Sequence, residues 1–476
     1  LFKFRFSESN ERQTHIEETL IKTPSELKRQ IGLFSATALV IGEMIAVGIF
    51  LTPAGMAKSL GSPLWLLIVW LVMGTMALSG AFCYGELAGR FPHAGGGYVY
   101  LREAYGPVVA FLYGWKCLLV MDPGITAALA TGLASYAGYS LQLSPLGVKA
   151  VAITAIVALA AINIFGVRFG AGLMRWLTLL KLGALILIVT WALAFRLGNW
   201  SHLLPFIEQR PGSEPLLGAL AGGMVGAFFA FGGWWDLSKL AGEARNPAHT
   251  LPRALAFGVL IVTFVYILTS AVFLYLVPLA NVTSGETFAA QAGEALFGAA
   301  GGQIFSSIVI ISVLGSLAGL MMAAPRVYFA MARDGVFLRG VAMAHSQFGT
   351  PARAIMLQAA LASLFVLLGT FNQIISFFIF VTVIFIALTV AAIFILRRRH
   401  ASDLQYSAPG YPLTPIIFLV LVSVLLLLLG GRNPVQALLG VAVVALGAPA
   451  YYLLFRHSFK KAEASNHDLD SNHSAI

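Results

Sequence analysis

The residues of this sequence best placed to do chemistry sit where charge is expensive. Lys181 lies in WLTLLKLGALILIV and Glu43 in LVIGEMIAVGIFLTP, both within long apolar runs. An ionisable side chain there is costly unless it reaches water or finds a partner. Glu43 is open to three roles: an ion pair with Lys181, uptake of a proton, or contact with a cationic or polar group of a ligand. Asp122, which precedes Pro123, shares a third apolar run with Lys116, and the two could form a buried pair or line a path. Two glycine interruptions accompany these charges. Gly42 and Gly48 bracket a short stretch at Leu39 to Pro53, and Gly232–Gly233 splits AFFAFGGWW. Each interior glycine costs about 1 kcal/mol of helix stability relative to alanine. In lipid, freed backbone N–H and C=O groups are tolerated only where they line a cavity or pack against protein. The chemistry expected of these stretches is therefore recognition by main-chain groups, although glycines also serve simply to let helices pack closely.

The elements that must position these groups follow from composition. The chain has 476 residues, 59% hydrophobic and 11% charged, with a mean hydropathy of +0.85. Apolar runs of about 20 residues recur, the length that crosses a hydrocarbon core. The expected fold is an all-α polytopic membrane protein with twelve spans, near 33–57, 64–89, 107–140, 148–166, 173–196, 216–240, 252–277, 301–331, 353–370, 373–396, 413–430 and 434–455. Residues 1–31 read as a cytosolic arm and 457–476 as a disordered cytosolic tail. The polar first 30 residues do not read as a cleavable signal peptide. Most of the 30 Lys and Arg fall on the side of the N-terminus when that end is placed inside, so both termini are expected in the cytoplasm.

Several functions are disfavoured. The net charge of +10 is spread over short loops and does not form a nucleic-acid surface. Gly95 to Gly97 is not a phosphate loop, because no Lys-Ser/Thr follows. His93 and His249 lack partners at metal-ligand spacing. No catalytic cluster is evident, and nothing calls for a metal or cofactor. Cys83 and Cys117, both in apolar runs, imply no disulfide framework. Glu86, Glu243, Arg326, Arg333 and Asp334 read most simply as solvated charges at the cytosolic ends, although gate-type salt bridges are an alternative.

The interruptions fall in spans 1 and 6, five apart, so the two halves would have opposite topology. Paired broken helices at matching positions point to the binding site of a secondary transporter. With both in view, the chain resembles the amino acid–polyamine–organocation transporters, and among them bacterial relatives of the L-type amino acid transporter branch. GEMIAVGIFLTPAG is similar to that family's G-x-x-I-G-S-G-I-F, and RFPHAGGGYVYLREAYG to F-P-x-A-G-G-x-Y-x-Y. FFAFGGWWDL with GEARNPAHTLPRA resembles F-A-Y-G-G-W followed by E-x-x-N-P, and PRVYFAMARDGVF resembles the end of span 8.

The resemblance implies a leucine-transporter-type fold: an inverted repeat over 33–196 and 216–396 plus two extra helices over 413–455, with spans 1 and 6 discontinuous. It implies an amino acid as substrate. The carboxylate would meet N–H groups near Val47 and Gly48, with Ala46 beside them in the binding site, and the ammonium would meet carbonyls near Phe229, Ala230 and Gly232. Phe229 would be a gate, and Ile45, Phe231, Trp234 and Trp235 would form the walls. Lys181 would stand where sodium-coupled relatives hold a cation, bridging span 1 to span 8 near Ser316. Transport would then be sodium-independent, by exchange of neutral amino acids across a bacterial inner membrane. The alternatives are a proton-coupled symporter using Glu43 or Lys181, a polyamine or cationic amino acid carrier, and a non-transporting sensor. The chain departs from the family at Glu43, usually small or polar, at Ala46–Val47 in place of Gly-Ser, and at Trp235 in place of Asn. The segment Gly138 to Gly147 has no cysteine, so no disulfide-linked heavy chain is expected.

Overall fold

The computed structural model describes residues 27–46, 48–278, 292–368, 371–399, 405–432 and 434–456. The chain's first 26 residues, its 457–476 tail and Val47 lie outside them. The described residues form a helical bundle: α1 (Leu33–Met44), α2 (Gly48–Leu60), α3 (Pro63–Arg90), α4 (Gly97–Tyr105), α5 (Pro107–Lys116), α6 (Asp122–Leu141), α7 (Pro145–Ile164), α8 (Val167–Ala194), α9 (Leu216–Phe231), α10 (Pro247–Leu276), α11 (Gly301–Ala323), α12 (Pro325–Arg333), α13 (Ala352–Leu368), α14 (Phe371–Arg399), α15 (Leu413–Arg432) and α16 (Pro434–Ala445). Among them, ten helical runs are long and apolar enough to cross a membrane, one of them Leu216–Glu243, while α1 and α13 are apolar but shorter.

Proline sets many of the helix starts. Pro63, Pro107, Pro145, Pro247 and Pro434 each open a helix, where the missing N–H would have no intrahelical acceptor, whereas Pro325 divides α11 from α12 where Ala324 keeps helical geometry. Pro123 has a different effect. The run from Pro107 was expected to be continuous, but it passes through a π turn at Cys117–Met121. A proline near the start of α6 removes one backbone donor from the ladder, and a π turn absorbs the misfit.

Small residues let the inner helices approach. α10 packs against α3 and α1, α11 against α6 and α8, and α9 against α2 and α3. A Cβ at Gly258 of α10 would lie 2.4 Å from a methyl of Val40 on α1. Behind these contacts sits a buried aromatic cluster of Trp70, Phe231 and Tyr266, with ring centroids 5.1 to 5.9 Å apart. The aromatic residues pack where the two interrupted segments cross and hold them in register.

The charges at the chain ends of these helices are less solvated than their sequence context predicts. Arg326 donates to both Glu243 oxygens at 2.7 and 3.0 Å, and both residues are fully buried. Arg397 donates to Glu86 at 2.8 and 2.5 Å, and the Ala408 N–H adds a third donor at 2.7 Å. Asp334 accepts from Tyr98 and Arg102 at 2.9 and 2.6 Å, while Arg333 stays exposed. Burying a charge is tolerated only with its partner and hydrogen bonds in place. Each of the three acids meets that condition by drawing a residue distant in sequence, which a linear reading cannot see.

Candidate functional site

Both interruptions are real breaks in the backbone. α1 ends at Met44, where Ile45 leaves helical geometry (φ −78°, ψ 81°), and α2 begins at Gly48. α9 ends at Phe231. Gly232 is extended (φ −56°, ψ 151°), Gly233 takes φ +102°, and the chain continues as a 3-10 helix over Trp234–Glu243. The positive φ at Gly233 is a conformation that side chains with a Cβ rarely adopt. The two breaks touch: a Cβ at Gly48 would lie 2.7 Å from the Ala230 Cα. Glycine at position 48 is therefore demanded by the approach of the second break.

Lys181 of α8 is fully buried, and its ammonium donates to three carbonyl oxygens: Gly42 at 2.8 Å, Ile45 at 2.7 Å and Ser312 at 2.8 Å. Ser316 of α11 lies 3.4 Å from Nζ and donates to Gly42 O at 2.7 Å. Helix C-termini leave carbonyls unpaired and carry partial negative charge, so a cation at the end of α1 satisfies both needs. Space for it is provided by Gly315, whose added Cβ would lie 2.8 Å from Nζ. An ammonium has three protons and here uses all three on main-chain oxygens. The pairing of Glu43 with Lys181, open on the sequence, is absent among the ion pairs of the described residues.

The second break has its own brace, which the sequence did not reveal. Tyr266 Oη of α10 lies 2.7 Å from both Met44 O and Ala230 O. One hydroxyl thus clasps the last carbonyl of α1 and one near the end of α9. Nothing in the spacing of a tyrosine in span 7 announces this, because it depends on α10 crossing both breaks.

Between the breaks lies a cavity of about 400 Å³ lined by Glu43, Ala46, Gly48, Thr52, Met121, Asp122, Ile125, Ala128, Leu129, Phe228, Phe229, Gly232, Gly233, Trp235, Asp236, Ser316, Leu320, Ile379 and Thr382. That size suits a small-molecule ligand. Asp122, Asp236 and Glu43 form its buried floor, while Phe229, 47% exposed, stands at its mouth. The structure brings Ala46, Gly48, Phe229, Gly232, Trp235, Glu43 and Ser316 to this wall. It places the others behind it. Ile45 is buried and contributes its carbonyl to Lys181 and Ser316. The Ala230 carbonyl is occupied by Tyr266. Phe231 packs on Trp70 and Tyr266, and Trp234 on Tyr84 and Phe418. Val47 is outside the described residues. A second opening of about 570 Å³, beside Arg29, Arg90, Pro92 and Pro247, is lined by neither break.

Two charges behave differently from their sequence reading. Lys239, one of the Lys and Arg that the charge count places on the cytosolic side, is buried and lies 2.8 Å from Asp236 and 3.4 Å from Asp122. Lys116 does not pair with Asp122. It approaches Thr382 Oγ1 at 3.4 Å and the Met121 sulfur at 3.1 Å, and lies over the Tyr113 ring. Residues six apart do not share a helix face, so Asp122 and Lys116 turn to different neighbours. Asp236 and Lys239 could have been noticed as intramembrane ionisable residues three apart.

Comparison with known proteins agrees with this architecture. Residues 31–449 match the family model described as amino acid permease. The serine/threonine exchanger SteT of Bacillus subtilis (strain 168) is 33% identical over 92% of this chain and 98% of its own length. The human large neutral amino acids transporter small subunit 2 is 30% identical over 90% of this chain and 80% of its own. The mouse b(0,+)-type amino acid transporter 1 is 28% identical, covering 94% and 91%. By the extent of these matches and the run of long apolar helices beneath them, the chain is a multi-pass membrane protein and belongs to the amino acid permease family.

Proposed function

We propose that this protein is a secondary transporter that exchanges amino acids by alternating access, with the cavity between the two breaks as its substrate site. The observation that carries the reading is the contact of the two interrupted helices, Gly48 against Ala230, beside a cavity lined by Ala46, Gly48, Phe229 and Gly232. The exposed N–H groups at the start of α2 suit a carboxylate, and carbonyls at the end of α9 suit an ammonium. Because both contacts are to backbone, the grip is on the zwitterion common to all amino acids. Phe229 at the mouth is the gate that closes over it.

Sodium-independence follows if Lys181 does permanently what a bound cation would do. Its three carbonyl contacts and the Ser316 contact support that role. The broken α1/α2 segment, the ten long runs (the α9/3-10 segment among them) and α13 together support twelve spans, arranged as an inverted five-plus-five repeat with two further helices; the excess of Lys and Arg on the side of the N-terminus supports termini in the cytoplasm of a bacterial inner membrane. In that orientation the mouth beside Phe229 faces outward. The opposite end is closed by main-chain bonds: Gln30 and Ile31 N–H groups donate to Glu243 O at 2.8 and 2.9 Å, and Arg245 N–H to Ile31 O at 2.8 Å. Burial of both Cys83 and Cys117 supports a chain without a disulfide-linked partner.

The test is uptake of labelled amino acids by proteoliposomes. Exchange predicts uptake only when amino acid is trapped inside, undiminished when sodium is replaced by choline. Uptake into empty vesicles driven by an imposed pH gradient would favour the proton-coupled alternative, and no uptake of any amino acid would remove the transporter reading.

A further inference from the structure

Away from the breaks, the opening of about 570 Å³ is lined by positive charge that exchange at the central cavity does not use. It sits where the last turn of α3 meets the first turn of α10, at the ends of two runs long enough to cross a membrane, and so at the height of lipid headgroups. Arg29, Arg90, Asn246, Ala248 and Gln405 are among its lining residues, and no aspartate or glutamate is. The acids at this end of the bundle are spent elsewhere. Glu86, one turn before Arg90 on α3, accepts from Arg397 and the Ala408 N–H. Glu243 accepts from Arg326, and Glu103 and Asp334 accept from Arg102. Arg29 belongs to none of the ion pairs among the described residues.

The position of Arg29 is built. On one side Gln30 and Ile31 N–H groups donate to Glu243 O, and Arg245 N–H donates to Ile31 O. On the other, Lys28 Nζ donates to Gln347 O at 3.0 Å. The chain at Arg29 is thus pinned on both flanks, while the residue itself stays exposed. Across the opening, Gly89 lets α10 come close: a Cβ there would lie 3.3 Å from the Ala248 Cα. That approach sets the half-buried Arg90 beside the first turn of α10, whose early N–H groups add partial positive charge. His93, three residues beyond Arg90 in the following loop, registers the local field. Partial burial, then the guanidinium charges of Arg102, Arg333 and Arg29, hold its imidazole below the usual pKa, against the opposing pull of Glu103.

We propose that this opening is a phosphate site, taking the phosphate group of an anionic lipid or of a soluble ion between Arg29 and Arg90. Guanidinium forks meet phosphate oxygens through paired N–H···O bonds, and a lining without acids offers an anion nothing to repel it. At headgroup height an anionic lipid is the concentrated source. A phosphate held there ties the segment from Lys28 to Ile31, which closes this end of the bundle, to the end of α3. The site does not depend on the solute carried in the central cavity, so its failure leaves the transporter reading untouched.

The test reads the thermal midpoint of the purified full chain in detergent, in two arms. Sodium phosphate is compared with sodium chloride at equal ionic strength, and phosphatidylglycerol with phosphatidylcholine at equal mole fraction. In at least one arm the midpoint should rise by about 2 °C or more, since a ligand stabilises the state it binds. Arg29→Gln, at an exposed position, should fold with an unshifted midpoint in chloride and lose at least half of that rise. Arg253→Gln, at an exposed arginine of α10 outside the opening, should keep it. A rise in the lipid arm alone assigns the site to the membrane, and one in the phosphate arm alone to a soluble anion. No rise in either arm overturns the proposal. So does a rise that Arg29→Gln does not halve, or one that Arg253→Gln lowers equally, because general surface charge would then account for it.

Discussion

The two breaks solve one problem in two ways. At the first, between α1 and α2, the loose carbonyls are taken by a charge that belongs to the protein: Lys181 ties Gly42 and Ile45 of the broken segment to Ser312 of α11. At the second, between α9 and the 3-10 helix, the brace is a neutral hydroxyl: Tyr266 holds Ala230, and the turn itself relies on Gly233. The ammonium nearest it, Lys239, is spent on the carboxylates of Asp236 and Asp122 and not on the main chain. The first break is held by a charge, the second by a hydroxyl and a glycine. Low-dielectric surroundings make both kinds of brace consequential.

This contrast can be broken at the first site most severely. Lys181→Ala would take the charged donor from three buried carbonyls and leave the single Ser316 hydroxyl to serve them, at about 1–3 kcal/mol for each one left unpaired. Exchange in proteoliposomes should fall to background and the thermal midpoint should drop. Full exchange in this variant would show that the brace is dispensable. Gly48→Ala attacks the contact between the breaks. Its Cβ would meet the Ala230 Cα at 2.7 Å, an overpacking cost of about 1–3 kcal/mol, and exchange should slow roughly tenfold, equivalent to about 1.4 kcal/mol of barrier. Normal rates would mean that the two segments can separate freely.

Smaller effects sharpen the comparison. Phe229→Ala should keep the fold, since the ring is exposed at the mouth, yet raise uptake into empty vesicles relative to exchange. Unaltered coupling would dismiss the ring as a gate. Tyr266→Phe removes one hydroxyl and should cost about 1–3 kcal/mol with a few-fold loss of exchange. A loss as large as that from Lys181→Ala would erase the proposed asymmetry. Glu43→Gln should flatten the dependence of exchange on pH between pH 5 and pH 8 if the acid takes up a proton, and leave its shape unchanged if it meets a substrate cation instead.

How far these features could be read in advance depends on their range along the chain. Glycines 42, 48, 232 and 233 announce themselves because a helix interruption is local, and Lys181 does because a lone lysine in an apolar run must have a reason. Their consequences are not local. Whether Glu43 reaches Lys181, or Asp122 reaches Lys116, depends on helix rotation and on the π turn at Cys117–Met121, and in both cases a main-chain oxygen or a distant lysine won the partner. Lys239 reads as one more charge at the cytosolic end of span 6 because the apolar pattern fades after Gly233. The 3-10 helix there turns it inward, to the acids. Ile45, Phe231 and Trp234 were placed on the wall by proximity to the breaks, but residues adjacent in a helix point in different directions, and only the fold shows which face the cavity.

The central claim, that main-chain groups of two broken helices grip an amino acid, is tested most directly by a density map of the protein with its exchanged amino acid bound. The account predicts the carboxylate against the N–H groups at the start of α2, beside Gly48, and the ammonium beside the carbonyls of Phe229 and Gly232. A ligand found outside this cavity, or held there only by side chains, would contradict it.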